Sequence, residues 1–256
     1  MRAAGGRWQS FTVRRAERYA KGHCYAPPPM QTPIPVITID GPSGSGKGTV
    51  ARAVAARLGW HFLDSGALYR AVGLRALKLG VALDDDAGLD RCAREADVRF
   101  IERGAEDPWV MLDGAEVSQQ LRSEACAAAA SKVAALPAVR AALLDKQRDL
   151  KLVPGLVADG RDMGTVVFPE AQLKVFLDAS VEERANRRHK QLIEKGVAAN
   201  LPALLKELAE RDLRDRTRAI APLKAAENAL VVDSTAMDAA GVVEAILLAA
   251  RQRALV

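Results

Sequence analysis

Residues 36–49 read VITIDGPSGSGKGT, a β-branched run that leads into a glycine-rich segment ending near a lysine. Its first four residues are β-branched and are followed by Asp40, as expected for a short buried strand. The glycines that follow let the backbone turn so that successive N–H groups point at an anion, and Lys47 adds a mobile positive charge. A helix with Ala, Val and Leu at helical spacing follows over residues 50–58, with its positive dipole end at the same place. Strand, loop, lysine and helix together predict a phosphate-binding loop.

One position departs from the commonest pattern of such loops. Gly48 directly follows the lysine, where Ser or Thr is usual, and Thr49 comes one residue later. The variant favours small-molecule kinases and resembles the nucleoside monophosphate kinases, in which phosphate oxygens and water hold much of the magnesium. We therefore expect no certain metal ligand from the chain, with Thr49 and Asp159 reaching Mg²⁺ through water.

The composition favours one large α/β domain with insertions, or at most two small domains. The chain has 256 residues, of which 49% are hydrophobic, and this is enough for a well-buried core. No apolar run approaches the roughly 20 residues that cross a bilayer. Three cysteines and three histidines lack the spacing of a zinc site, a disulfide framework or a catalytic triad. We expect a cytoplasmic protein without membrane association.

The positive charge is concentrated at the N-terminus. The net charge is +5, and the basic residues before the fold face only Glu17: Arg2, Arg7, Arg14, Arg15, Arg18 and Lys21. Prolines at 27–29, 33 and 35 indicate an extended linker. We expect residues 1–34 to be a disordered tail or a start assigned too early, with Met30 as the true start; a transit peptide is the alternative. Without this segment the body is near neutral, which removes the main support for nucleic-acid binding.

The rest of the chain alternates strands and helices, which predicts a parallel sheet. Strands are predicted at 36–40, 60–64, 156–158, 173–178 and 229–233. Helices are predicted at 50–58, 65–79, 119–135, 137–152, 181–195 and 202–218, with one more at the C-terminus. Between 97 and 117 apolar and polar residues alternate around Gly104 and Pro108, which indicates a small antiparallel hairpin inserted in this pattern.

Acidic residues at strand ends point to the site. The carboxyl ends of parallel strands open onto the ligand crevice, so Asp64, Asp159 and Asp162 should gather beside the phosphate loop. Asp159 is the candidate for organising magnesium and its waters, with helix capping as the alternative. Ser65 and Arg70 could bind a second phosphate, although Asp64-Ser65-Gly66 also fits a helix N-cap alone. Two phosphate sites favour a transferase.

Two later helices carry arginines at helical spacing. One set is Arg184, Arg187 and Arg188, and the other is Arg211 and Arg218 with Asp215 between them. Solvated surface charge explains either set alone. Phosphoryl transfer, however, needs positive charge around three equatorial oxygens and a segment that closes to exclude water. Both sets therefore favour an arginine-bearing lid.

Four motifs together carry a resemblance to a known family: residues 39–49, then LDSGALYR at 63–70, ADGRDMGT at 158–165 and RDRTR at 214–218. The chain resembles the bacterial cytidylate kinases from about Pro35 to the C-terminal helix. The resemblance implies transfer of the γ-phosphoryl group of ATP to CMP or dCMP with Mg²⁺. It also implies an α/β P-loop three-layer fold with a central parallel sheet, a small antiparallel NMP-binding insert and a helical lid.

The resemblance also implies roles for individual residues. The loop would bind ATP through Gly41, Pro42, Ser43, Gly44, Ser45, Gly46, Lys47, Gly48 and Thr49. The catalytic charges would be Lys47, Arg161, Arg184 and Arg188. The CMP site would comprise Ser65, Arg70, Ser131, Arg140, Asp159, Asp162, Arg211, Asp215 and Arg218. Within it, Ser131, Arg140 and Asp162 would read cytosine, and Arg211 and Asp215 would meet the ribose.

The implied domain is 35–256, with a core at 35–94 and 153–256, an insert at about 95–152 and a lid at about 181–200. We expect a monomer whose partners are ATP and CMP or dCMP, with no nucleic acid. The residues alone reach a P-loop phosphotransferase with an anionic acceptor, and the choice of cytidine comes from the resemblance. The alternatives are a kinase of UMP or another small acceptor, and a P-loop switch or nucleic-acid-binding module. Against a guanine-reading switch, the sequence has no Asn-Lys-x-Asp motif.

Overall fold

The computed structural model describes residues 33–103, 106–194 and 196–256. The prediction of an N-terminal tail therefore lies, up to residue 32, outside the described residues. In chain order the elements are β1 (Val36–Asp40), α1 (Lys47–Leu58), β2 (His61–Asp64), α2 (Ser65–Leu79), α3 (Asp86–Glu95), β3 (Val98–Arg103), β4 (Glu106–Leu112), β5 (Ala115–Glu116), α4 (Glu124–Val133), α5 (Pro137–Arg148), β6 (Leu156–Gly160), β7 (Leu173–Asp178), α6 (Val181–Glu194), α7 (Leu201–Thr217), β8 (Leu230–Asp233) and α8 (Ala239–Gln252).

A five-stranded sheet with the order β2-β6-β1-β7-β8 forms the centre. Every neighbouring pair in it is parallel, and β1 lies between β6 and β7. The carboxyl ends of all five strands consequently meet at one edge, where the phosphate loop leaves β1. The predicted parallel sheet is confirmed.

Alternate residues of the central strands face two separate apolar layers, which gives the predicted three-layer arrangement. On β6, Leu156 and Ala158 pack among residues of α2, α3 and α5, whereas Val157 packs among residues of α1 and α8. All three are fully buried. A strand buried on both faces reads as a continuous apolar run, and this is why β6 was visible in the sequence.

The antiparallel insert is also present, with one strand more than the hairpin predicted. Strands β3, β4 and β5 form a separate sheet in that order. Val110 and Leu112 pack from this sheet onto Ala71 and Leu74 of α2. The turn around Gly104 lies outside the described residues.

Three helical features differ from the sequence prediction. Helix α3 was not predicted; the side chain of Asp85 caps it by accepting a hydrogen bond from the N–H of Gly88 at 2.9 Å. The helix predicted over 119–135 is broken into a 3₁₀ turn and α4, because Ser123 adopts extended backbone angles and caps α4. A π-helical turn, Met163–Val167, follows β6.

The helices predicted at 181–195 and 202–218 correspond to α6 and α7, with ends within one residue of those predicted over the described part. Among the described residues, no single helix is long and apolar enough to cross a membrane. The pair α4 and α5 meets the length and composition criteria only when joined, and it bends by 101° at the break.

Candidate active site

The predicted phosphate loop, residues 41–46, connects β1 to α1. Gly46 has a φ of 87° at the N-cap of α1, and a Cβ on Gly41 would lie 2.1 Å from a carbonyl oxygen of β7. Both positions therefore require glycine. The side chain of Lys47 turns back over the loop, where Nζ donates a hydrogen bond to the carbonyl oxygen of Pro42 at 3.0 Å. The loop encloses its own lysine, which is 8% exposed.

Burial makes the charge of Lys47 sensitive to what binds beside it. Burial, and after it the charge of Arg161, lowers the pKa of Lys47 to about 7, while Asp159 acts in the opposite direction. An anion placed in the loop would favour the ammonium form and raise this pKa again. The amino group of Lys47 is thus suited to gain a proton when a phosphate binds in the loop.

Asp159 lies against the residue where the loop departs from the commonest pattern. A Cβ on Gly48 would lie 3.1 Å from Oδ2 of Asp159, so a side chain at this position would press on the carboxylate. Burial raises the pKa of Asp159 to about 6, against the opposing effect of Lys47. The side chain of Thr49, in contrast, is at an exposed position. The carboxylate of Asp159 therefore lies on the side of the loop where other P-loops carry a hydroxyl.

The end of β2 holds the predicted second phosphate site. Asp64 is the N-cap of α2 and accepts hydrogen bonds from the N–H of Ala67 at 3.0 Å and from Nη2 of Arg70 at 2.7 Å. Burial alone would raise the pKa of Asp64, but Arg70 and the Ala67 N–H hold it below its ordinary value. Ser65 is buried at the first position of the helix. The segment from Asp64 to Arg70 thus contains both the helix cap and the cation that was predicted to bind a phosphate.

A buried ion pair joins two of the residues predicted to read cytosine. Arg140 of α5 donates to the carboxylate of Asp162, and the two side chains are 8% and 3% exposed. Nη2 of Arg218 lies 3.9 Å from the other carboxylate oxygen of Asp162. The ring of Tyr69 lies under the Arg140 guanidinium, 5.7 Å from its carbon. Burial raises the pKa of Asp162, although Arg140 opposes the rise.

The predicted ribose residues are joined to the end of β6. Nε of Arg161 donates to Oδ2 of Asp215 at 2.9 Å. Burial, and after it Arg161, lowers the pKa of Arg211 to about 10, so Arg211 is a partly desolvated cation beside the same pair. Helix α7 is therefore connected through Arg161 to the loop that follows β6.

Several predicted site residues carry buried polar atoms that have no hydrogen-bond partner among the described residues. They are Ser45 Oγ, Ser131 Oγ, Asp159 Oδ1, Arg211 Nε and Arg218 Nη2. Buried polar atoms are normally paired, and an unpaired one costs about 1–3 kcal/mol. Thr38 Oγ1, Gln147 Oε1 and Thr165 Oγ1, which are not on predicted site residues, also lack a partner in the described part of the chain, so these atoms are groups that either water or a polar ligand satisfies.

Arg184 lies against the phosphate loop and contacts its backbone. Its guanidinium donates to the carbonyl oxygens of Ala179 and Ser43, each at 2.9 Å, and forms an ion pair with Asp212 of α7. The residue is 3% exposed. In this arrangement Arg184 contacts the backbone of the phosphate loop and connects the loop to α6 and α7.

The other two arginines of α6 point to different neighbours. Arg187 pairs with Glu183 and donates to the carbonyl oxygen of Ser234 at 2.5 Å, beyond the end of β8. Arg188 forms an ion pair with Glu124 at the start of α4, so it connects α6 to α4. The helical spacing thus predicted a common face correctly, but the three side chains have separate partners.

Three residues of this region were missed in the sequence. Asp40 accepts hydrogen bonds from the N–H groups of Met163 and Gly164, Asp212 pairs with Arg184, and Tyr69 lies under Arg140. The signal for Asp40 was present, because it is an acidic residue at the end of a strand, like Asp159.

Comparison with known proteins gives consistent matches. The family model described as cytidylate kinase matches residues 37–252. A cytidylate kinase of Aeromonas hydrophila subsp. hydrophila is 57% identical over 224 residues, covering 88% of this chain and 97% of the relative. One of Nitrosococcus oceani is 58% identical over 207 residues, covering 80% and 91%. Among solved structures, a gluconokinase from Sinorhizobium meliloti 1021 is 19% identical with a TM-score of 0.39, covering 82% and 87%.

Proposed function

This chain belongs to the cytidylate kinase family, and we propose that the residues described above divide the work of a (d)CMP kinase among a donor loop, an acceptor site and a lid. The reaction transfers the γ-phosphoryl group of ATP to CMP or dCMP, giving CDP or dCDP and ADP. The observation that carries this division is the set of buried polar atoms without a hydrogen bond to the described residues on Ser131, Asp159 and Arg211, together with Nη2 of Arg218, which lies 3.9 Å from Asp162. Each is satisfied if CMP, ATP and their metal occupy the edge of the sheet.

The donor site is the phosphate loop. Backbone N–H groups of residues 41–49 bind the phosphates of ATP, and Lys47 leaves the carbonyl oxygen of Pro42 to contact the transferred group. Arg184 keeps the loop in shape through Ser43. This role of Arg184 is positional, because its donors are occupied by protein acceptors.

The acceptor phosphate binds between Arg70 and Arg161, with Ser65 beside it. No protein nucleophile is needed, since an oxygen of the CMP phosphate attacks the γ-phosphorus while the bond to the β-phosphate oxygen breaks. Lys47, Arg70 and Arg161 supply positive charge around the reacting phosphates, and Arg188 joins them when the lid closes. Closure of the lid, residues 181–200, excludes water, which would otherwise accept the phosphoryl group.

The residues beside the donor loop fit Mg²⁺. Asp159 offers an unpaired buried oxygen, and Mg²⁺ is commonly bound through one or two carboxylates, water and substrate phosphates. No group of three or more His, Cys, Asp or Glu side chains in the described ranges forms a cage for a metal. Asp159, and Thr49 through water, would hold the ion. When bound, it supplies neutralising charge to the ATP phosphates.

Cytosine is read by Ser131, Arg140 and Asp162. A site built to form hydrogen bonds rejects analogues strongly, because a mismatched base leaves buried polar partners unpaired. The exocyclic amine of cytosine is a donor, and uracil has an acceptor at this position. The buried carboxylate of Asp162 would therefore favour cytosine.

The ribose is bound by Arg211 and Asp215, with Arg218 beside them. These side chains lie on α7, and Arg161 connects them to the strand that carries Asp159. We assign the core to residues 35–94 and 153–256, the insert to about 95–152 and the lid to about 181–200. The proposed protein is a cytoplasmic monomer that acts on small molecules and not on nucleic acid.

The test is an acceptor profile. The protein is mixed with Mg²⁺, ATP and each nucleoside monophosphate in turn, and ADP formation is followed. Selective conversion of CMP and dCMP is the expected result. Equal conversion of UMP would contradict the assignment of the cytosine-reading residues, and inert acceptors with retained ATP binding would favour a regulatory P-loop protein.

The base-reading residues are tested by Ser131→Ala and Asp162→Asn. Both are expected to lower the ratio of kcat/KM for CMP to that for UMP by tenfold or more, by loss of one buried hydrogen bond. Ser118→Ala is the matched control, because this hydroxyl, in the same insert, accepts a hydrogen bond from the N–H of Val110. If the ratio stays constant in both variants, Ser131 and Asp162 do not read cytosine.

A further inference from the structure

Asp40 is the last residue of the central strand β1, directly before the phosphate loop. Its carboxylate accepts hydrogen bonds from a different loop, the one that follows β6. Oδ1 accepts the N–H of Met163 and Oδ2 accepts the N–H of Gly164, both at 2.8 Å. The residue is 4% exposed. These two N–H groups begin the π-helical turn that follows β6. One carboxylate thus joins the donor loop to the loop that carries Arg161 and Asp162.

Without Asp40, the N–H groups of Met163 and Gly164 would need another hydrogen-bond acceptor close to the turn. The first N–H groups of a helical turn have no acceptor within the turn, and an Asp at the N-cap position normally supplies one. Asp162 stands at that position, yet its side chain makes no capping hydrogen bond. Its carboxylate instead meets Arg140 and Arg218. Asp40 therefore accepts the N–H of Gly164 that a capping Asp162 would be expected to accept, and it accepts the N–H of Met163 as well.

The backbone around the turn allows Asp40, instead of Asp162, to accept these N–H groups. A Cβ on Gly164 would lie 2.8 Å from Oγ1 of Thr38, so only glycine lets the turn approach β1 closely enough for its N–H to reach Asp40. Asp40 is also paired in register with Gly160 across β1 and β6. Burial raises the pKa of Asp40 to about 7, and the two N–H groups are the contacts that lower it. Its contacts are with backbone, so it acts through the turn.

We propose that Asp40 is a positioning residue for base recognition: by capping the turn at Met163 and Gly164, it releases the carboxylate of Asp162 to bind cytosine together with Arg140. This rests on the proposed role of Asp162. The phosphate loop and the cytosine site are then coupled through a single side chain at the end of β1.

The test is a double-mutant cycle with Asp40→Asn and Asp162→Asn. The amide at position 40 keeps one acceptor oxygen and turns an N–H group toward one of the two donors. Asp40→Asn alone is expected to raise KM for CMP about tenfold and to lower the preference for CMP over UMP, with KM for ATP changed less than about twofold. In the Asp162→Asn background the same change is expected to have no further effect on CMP, because both variants act on one group.

The control is Asp238→Asn, which makes the same substitution at the carboxylate that caps α8 through the N–H of Gly241 at 2.8 Å. Asn and Asp cap about equally well, so its kinetics should match the wild type. Additive effects of Asp40→Asn and Asp162→Asn, or an effect on ATP equal to that on CMP, would overturn the proposal. If Asp162→Asn alone leaves the CMP preference intact, the base-reading assignment fails instead.

A second variant guards against loss of folding. Asp40→Ser is smaller, keeps one acceptor oxygen and leaves room for water, and it is expected to change KM for CMP in the same direction. Thermal unfolding and ATP binding establish that each variant is folded. Unfolding of both variants would assign Asp40 to folding and overturn its role in base recognition.

Discussion

At the scale of single residues, the lysine of the phosphate loop links substrate binding to a proton. Its pKa of about 7 in the free protein results first from burial and then from Arg161. At pH 7.5 the Lys47 side chain is therefore only partly charged. ATP phosphates favour the charged form, so binding is expected to take up a large part of one proton. Asp159, with a pKa of about 6, is mostly ionised at this pH and contributes little.

This uptake is measured by titration calorimetry of MgATP binding in buffers of different ionisation enthalpy. Lys47→Arg is the control, because its guanidinium is charged at every pH used and takes up no proton. The uptake should fall with decreasing pH and become small below pH 6, where Lys47 is already charged. Equal uptake by the wild type and Lys47→Arg would show that another group supplies the effect.

At the scale of elements, the buried ion pair between α6 and α7 should matter more than the exposed one between α6 and α4. The side chains of Arg184 and Asp212 are 4% and 13% exposed, and those of Arg188 and Glu124 are 34% and 55% exposed. Asp212→Asn leaves a buried cation without its partner, which is expected to cost about 3 kcal/mol of unfolding free energy. Glu124→Gln is expected to cost less than about 1 kcal/mol.

Chemical denaturation of the two variants measures these costs. Because Arg184 also donates to the carbonyl oxygen of Ser43, Asp212→Asn should weaken ATP binding as well, whereas Glu124→Gln should leave it near the wild-type value. Similar losses of stability in both variants would contradict the difference expected from burial.

Helices α2 and α4 approach each other closely at Gly73 of α2. A Cβ on Gly73 would lie 3.0 Å from the Cβ of Ala129 and 3.1 Å from the backbone nitrogen of Ala130. Gly73→Val should therefore push α4 away and cost about 1–3 kcal/mol of stability. Because α4 carries Ser131, KM for CMP should rise too. Lys78→Val, at an exposed position of α2, should cost under about 1 kcal/mol and leave KM unchanged; thermal unfolding and steady-state kinetics compare the two.

The elements also show what the sequence could and could not predict. The starts of β1 and α2 were predicted correctly, because a β-branched run and an Asp64-Ser65 cap are local signals. Helix α3 was missed because Asp84, Asp85 and Asp86 resemble a loop, and its buried face is only a few small or apolar residues. Ser123 was overlooked because the alanines that follow it favour helix.

Within the site, residue types were predictable and pairings were not. Acidic residues at strand ends and arginines at helical spacing are the signals that predicted Asp159, Asp162 and Arg184 as site residues. Which carboxylate meets which guanidinium depends on the packing of helices that are distant in sequence. Arg140 pairs with Asp162, and Arg184 with Asp212, only because α5 and α7 lie beside the ends of β6 and β7.

At the scale of the whole molecule, the strand order keeps the proposed sites of the two substrates on separate strands. The proposed donor loop follows β1, the proposed cytosine-reading loop follows β6 and the proposed acceptor-phosphate residues follow β2, so these loops leave three adjacent strands. The lid instead follows β7, on the far side of β1, and Arg187 ties it to Ser234 beyond β8. CMP should therefore order the insert and ATP the loop, and the lid should close only when both are bound.

Hydrogen exchange followed by mass spectrometry tests this order. CMP alone is expected to slow exchange in α4, α5 and the last turn of α7, and a non-hydrolysable ATP analogue alone to slow exchange in the loop at 41–46 and in α1. Residues 181–200 should be protected strongly only with both ligands, since closure requires contacts to each. Amides of α8, which packs on α1 and carries no residue assigned to either substrate, serve as the internal control. Full protection of the lid by ATP alone would mean that closure does not wait for the acceptor, and the lid would then not act as the barrier that keeps water from the phosphoryl group.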